Sequence, residues 1–173
     1  MGRLAPAVGI IIAIIAVAAV FGAFALGEPE NESDSTSIKD YLVTEAVKPV
    51  VVRDKNDQKV TLDASMADKS LVTFWDATCA ECRTGLPLIV SFVAAHPEIR
   101  PIYINHQNTR EQAEAALKEW GLAIETYYDT DGTAFNAWSG TTPATYYIRN
   151  GIFRVFFPGR PSAEQLNALL TIN

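Results

Sequence analysis

The chain has 173 residues, of which 49% are hydrophobic and 20% charged, with a formal net charge of −6 and a pI near 4.9. That is enough apolar material for one packed domain. It excludes a nucleic-acid groove, because neutralising phosphates takes a basic stripe and no Lys or Arg cluster is present.

Leu4 to Leu26 contains no charged residue. As a helix rising ~1.5 Å per residue it would reach roughly 34 Å, enough to cross a hydrocarbon layer of ~30 Å. Residues 1–27 are therefore expected to be a transmembrane anchor, with residues 4–26 in the membrane. A cleaved secretory signal is the alternative, since Ala23, Phe24 and Ala25 offer a small-x-small pattern, but the apolar core of such a signal usually runs about 7 to 15 residues. Arg3 precedes the span, and Glu28, Glu30, Glu32 and Asp34 follow it. This bias predicts a single pass in the cell membrane with a cytoplasmic N-terminus and an extracytoplasmic domain. Residues 28–37 have the acidic, polar composition of a linker, and 38–173 read as the domain.

Within the domain, Ile38 to Lys48 is expected to form a short helix, and VVVRDKNDQKVTL a β-hairpin around a polar turn. Ser70 to Trp75 reads as a buried strand leading into a helix at Cys79, whose apolar face is Leu86, Ile89, Val90 and Val93. Pro87 lies inside that helix and His96-Pro97 closes it. The strand RPIYIN follows, then a helix with Thr109 and Gln112 as its capping box, Ala113, Ala116, Leu117 and Trp120 as its stripe, and Gly121 as its stop. Glu125 to Tyr128 reads as a strand and Asp131 to Trp138 as a short helix. Ala144 to Ile148 and Ile152 to Phe157 form a hairpin through Asn150-Gly151. Ser162 and Gln165 cap a last helix burying Leu166, Leu169 and Leu170. Alternating strands and helices followed by a closing hairpin predict an α/β domain: a mixed central sheet with helices on both faces and an N-terminal β-hairpin extension.

The two cysteines, Cys79 and Cys82, lie in FWDATCAECRTGLP. A structural zinc takes about four ligands, and only His96 and His106 could supplement the pair, on no ligand spacing; no metal is expected. A structural staple over two intervening residues would remove little unfolded-chain entropy. Redox exchange fits the spacing: a sulfur at a helix start favours the thiolate, and a second sulfur one turn later can close a disulfide with it. CxxC after a strand within a βαβ pattern is the signature of that chemistry.

The segment also resembles the active site of thioredoxin-like proteins of the TlpA/ResA type, whose pattern is close to FWATWCxPCRxExP. The resemblance covers most of Ser70 to Asn173, through VTFW, CxxCR, Pro87, IYINHQNTREQAEAALKEWGL, YYDTDG and SGTTPATYYIRNG. It implies a thioredoxin fold and thiol-disulfide oxidoreductase activity, with Cys79 attacking and Cys82 releasing. No cofactor is implied. It further implies a cis-proline at Pro143, with Thr142 before it, beside the cysteines, where client backbone pairs. Trp75 is a further candidate for client contact, at the rim of the site. Asp76 and Glu81 are candidates for proton transfer or tuning; as neighbouring negative charges they disfavour the thiolate and so favour a reducing dithiol. The implied partners are exported thiol or disulfide proteins, such as apocytochrome c or a cysteine-ligated metal centre, and a membrane electron donor. The chain departs from the pattern at Thr78 for tryptophan, Glu81 for proline, Gly85 for glutamate, and Thr73 where thioredoxin has a buried aspartate. Disulfide oxidation or isomerisation, and a non-catalytic tethered binding module, are the alternatives. A peroxidase would carry Pro-x-x-x-Thr-x-x-Cys, which is missing.

Overall fold

The strand Lys69–Trp75 is enclosed along nearly its whole length, and the rest of the domain is arranged around it. The structure, a computed structural model, describes residues 37–65, 68–138 and 140–172. The expected anchor and nearly all of the expected linker lie outside those residues. Among the described residues no helix is long and apolar enough to cross a membrane.

The elements are β1 (Leu42–Ala46), β2 (Val50–Arg53), β3 (Lys59–Leu62), β4 (Lys69–Trp75), α1 (Ala80–Ala95), β5 (Arg100–His106), α2 (Arg110–Glu119), β6 (Thr126–Asp129), α3 (Thr133–Trp138), β7 (Ala144–Arg149), β8 (Ile152–Phe157) and α4 (Ala163–Ala168). They form one eight-stranded sheet in the order β1-β8-β7-β4-β5-β6-β2-β3. β4 runs parallel to β5 and antiparallel to β7, so the sheet is mixed. The β2–β3 hairpin extends it beyond β6.

The two faces bury different sets. One carries Leu71, Trp75, Tyr103, Tyr128 and Tyr147 against α1, α2 and α4; the other carries Val72, Phe74, Ile102, Ile104 and Tyr146 against α3. Helices thus cover both faces. The capping boxes at Thr109/Gln112 and Ser162/Gln165 are both formed. Gly121 (φ 69°) follows α2, and Asn150 (φ 53°) and Gly151 (φ 72°) make the hairpin turn, positive φ at both central positions being what a tight β-hairpin needs.

Two expectations need correction. Ile38 to Lys48 is not a helix: a single 3₁₀ turn at Ile38–Tyr41 leads into β1, which pairs with β8 through Leu42 and Val155, Glu45 and Phe153, and Ala46 and Ile152. A partner strand more than a hundred residues away overrides local helical preference. Leu170 is 47% exposed rather than buried. The chain tightens after α4 into a 3₁₀ turn at Leu169–Thr171, and the faster rotation per residue keeps Leu169 inside while turning Leu170 out.

Candidate active site

Past the end of β4 the chain turns sharply before α1. Asp76 shapes the turn: its Oδ1 accepts hydrogen bonds from the Thr78 N–H at 2.6 Å and the Thr78 hydroxyl at 2.7 Å, and its carbonyl accepts from the Cys79 N–H at 3.2 Å. Cys79 then occupies the N-cap position of α1, with extended backbone (φ −81°, ψ 112°). Its Sγ accepts from the Cys82 N–H at 3.0 Å, one of the amide groups a helix start leaves unpaired. Cys79 and Cys82 are joined in a disulfide with their Cα atoms 5.2 Å apart.

The two sulfurs are not equivalent. Cys82 is fully buried in the core under α1, whereas Cys79 is half-buried at the helix tip. A reagent or client approaching from solvent meets residue 79 first. The helix end and the Cys82 N–H favour negative charge on the Cys79 sulfur.

A clamp that the sequence reading missed holds this turn from below. The Asn108 Oδ1 accepts from the Ala77 N–H at 2.7 Å and from the Asn105 Nδ2 at 3.0 Å. Asn105 lies on β5 in register with Trp75. Gln107 (φ 62°) takes the left-handed conformation between them, which turns the chain so that Asn108 reaches the cysteine loop. The available signal was HQN, three polar residues after an apolar strand.

The Thr142–Pro143 peptide bond is cis, Pro143 is buried and Thr142 half-buried. Phe74 pairs with Ala144, so the same register carried one residue further brings Pro143 beside Trp75, at the base of the cysteine turn. The fold thus gathers Cys79, Cys82, Asp76 and the Thr142–Pro143 bond at one end of the sheet. Glu81 stands on the exposed side of the first turn of α1. Trp75 does not face a client: it is 0% exposed, its Nε1 donates to the Thr126 hydroxyl at 3.0 Å, and its ring meets Trp120 edge-on at 5.6 Å. A large aromatic at the end of an enclosed strand packs inward when a hydroxyl is available for its N–H.

Thr73, on the face under α1, lies 3.3 Å from the Thr145 hydroxyl, both fully buried. A pair of neutral hydroxyls therefore stands under α1 at the position where the resemblance would put a carboxylate. Among the described residues no group of three His, Cys, Asp or Glu side chains is arranged to hold a metal ion.

No protein-family profile and no curated protein sequence matches the chain. Solved structures do. A secreted disulfide oxidoreductase of Mycobacterium tuberculosis, homologous to E. coli DsbE, superposes with a TM-score of 0.58 at 15% identity, covering 69% of this chain and 95% of its own. StoA of Bacillus subtilis gives 0.58 at 20% identity, covering 71% and 96%. A DsbF homologue of Corynebacterium diphtheriae gives 0.60 at 16% identity, covering 74% and 86%. The fold is that of the thioredoxin-like thiol-disulfide oxidoreductases, and on it the chain carries a CxxC disulfide.

Proposed function

We propose that the protein is a membrane-anchored thiol-disulfide oxidoreductase that acts outside the cytoplasm and reduces disulfides in exported proteins. The observation that carries this reading is the asymmetric pair: Cys79 capping α1 within reach of solvent, Cys82 enclosed behind it. Starting from the dithiol, the Cys79 thiolate attacks one sulfur of a client disulfide. The sulfur–sulfur bond of the client breaks, a mixed disulfide forms, and the departing client thiolate takes up a proton. Cys82 then loses its proton and attacks the Cys79 sulfur. The second client thiolate leaves and is protonated, and the enzyme is left as the Cys79–Cys82 disulfide. Two electrons have passed to the client, and a dithiol donor must return two to the enzyme. Following the TlpA/ResA resemblance, that donor is a membrane protein, and the clients are proteins whose cysteines must be free for haem attachment or metal ligation.

Direction is argued from charge. Asp76 and Glu81 both lie within two or three residues of Cys79, and no basic side chain stands between them in sequence. Their charge opposes the thiolate, and a dithiol whose thiolate is less stabilised is the better reductant.

A full-length Cys82→Ala variant tests the chemistry: it should accumulate covalent mixed disulfides through Cys79, and identifying the captured proteins names the clients. A tethered binding module with inert thiols would capture nothing. Equilibration with glutathione tests direction, with a potential on the thioredoxin side, about −270 mV, expected rather than one near DsbA's, about −120 mV. For the topology, a C-terminal tag should be accessible outside intact cells.

A further inference from the structure

The segment between β8 and α4, Pro158-Gly159-Arg160-Pro161, approaches α1 at Glu81 and Gly85. Its shape is constrained at two of four positions. Two prolines fix their own φ, and Gly159 adopts φ 138°, a conformation that side chains other than hydrogen rarely allow. Pro161 is buried, whereas Arg160 is exposed.

Arg160 is laid against α1 at Gly85. A Cβ on Gly85 would lie 2.9 Å from the Arg160 Cγ, 3.5 Å from its Cδ and 3.6 Å from its Cβ. The arginine stem therefore lies flat over the place a side chain at residue 85 would occupy. Glycine inside a helix costs stability relative to alanine, so its use here has a packing reason, which is the passage of this stem. Gly85 follows Cys82 by three residues and so shares its side of the helix.

The segment also borders the site where a client would lie. β7 and β8 pair Thr145 with Phe157, so the segment leaves β8 beside the start of β7, which Pro143 immediately precedes. A Cβ on Gly159 would be 3.9 Å from Glu81 Oε2, so the segment touches the first turn of α1 as well. Charge at this rim is unevenly committed. Arg83 of α1 is paired with Glu119 at 3.1 Å, whereas the Arg160 guanidinium has no ion-pair or hydrogen-bond partner among the described residues, Glu81 included.

We propose that Arg160 is a specificity-determining residue that selects client disulfides flanked by an acidic side chain. The segment that lies against Glu81 and Gly85 of the cysteine helix carries one guanidinium with no partner among the described residues, and a carboxylate near the client cysteine is the group its planar donor fork fits. This rests on the redox reading above, and the test separates the two.

The full-length chain is reduced, freed of reductant, and mixed with two disulfide-bonded peptides identical except for Glu or Lys next to the cysteine, and with a small uncharged disulfide. The uncharged disulfide reports exchange chemistry alone: if the native chain reduces none of the three, both readings fall. The inference is read from the ratio of rates for the Glu and Lys peptides within each variant, so that loss of folded protein cancels. For an exposed ion pair the native chain should favour the Glu peptide by about three- to five-fold, with the preference fading as added salt screens it. Arg160→Gln should lose the preference for the Glu peptide, Arg160→Glu should favour the Lys peptide, and Arg160→Lys should restore part of the native ratio. A native ratio of one while the uncharged disulfide is reduced, or a preference that persists in Arg160→Gln, overturns the proposal and leaves the redox reading standing.

Discussion

The two faces of the central sheet bury different kinds of polar group. On the face under α3, the ionisable groups His106 and Asp129 are enclosed. Asp129 accepts from the Ala134 N–H at 3.1 Å and the Phe135 N–H at 2.8 Å, so its carboxylate starts α3, and His106 stacks on Phe135 with ring centroids 3.7 Å apart. On the face under α1, the polar residues are Thr73, Thr145, Asn105 and Thr126, all uncharged, with the disulfide above them. The carboxylate of the domain interior is thus spent on capping a helix away from the cysteines. The face under the disulfide keeps a neutral floor, and among the described residues no buried acid lies on it.

The largest expected effect comes from the residue that anchors the neutral face. Trp75→Ala removes a fully enclosed ring together with its bond to Thr126, and should cost about 3–5 kcal/mol by chemical denaturation. Phe74→Ala, which empties the other face, should cost a similar amount. What separates them is the site: in the reduced protein without denaturant, Trp75→Ala should speed alkylation of Cys82, and Phe74→Ala should not. Equal acceleration in both variants would mean that the two faces do not insulate one another.

A smaller effect is expected at the clamp. Asn108→Ala leaves the Ala77 N–H and the Asn105 amide without their shared acceptor, a loss of about 1–3 kcal/mol. Asn108→Asp keeps an oxygen in that place and should recover most of the stability and the slow alkylation of Cys82. An Asp variant as weak as the Ala variant would show that the two bonds are not what holds the turn.

These residues also mark how far the sequence could be read. Strand and helix order from β2 onward, both capping boxes and the Asn150-Gly151 turn depend on neighbours within a few positions, and all were legible. The cysteine pair was legible for the same reason, being one helical turn long. What escaped was set by distant partners. β1 exists because β8 offers an edge, the clamp because Gln107 turns Asn108 back under a loop some thirty residues earlier, and the Arg160 stem because Gly85, seventy-five residues before it, leaves room. Trp75 reads as a rim residue in sequence, and what holds it inside is the hydroxyl of Thr126, 51 positions away, which accepts its N–H.

The smallest effect tests the neutral floor itself. Thr73 and Thr145 pair across β4 and β7 with their hydroxyls 3.3 Å apart. Thr73→Val takes the partner from a buried Thr145 hydroxyl, and Thr145→Val does the converse, so each alone should cost about 1 kcal/mol or somewhat more. Replacing both removes the need along with the bond, and the double variant should be nearly as stable as the native chain, read as a recovered denaturation midpoint at constant slope. Two single costs that simply add would show that the hydroxyls do not depend on each other. The same proteins ask a chemical question that stability does not: if the pair is only a satisfied floor, the double variant reduces a small uncharged disulfide at the native rate. A clear fall in that rate with stability intact would instead mean that the hydroxyls carry the proton of Cys82, and the neutral face would have to be counted as part of the catalytic machinery.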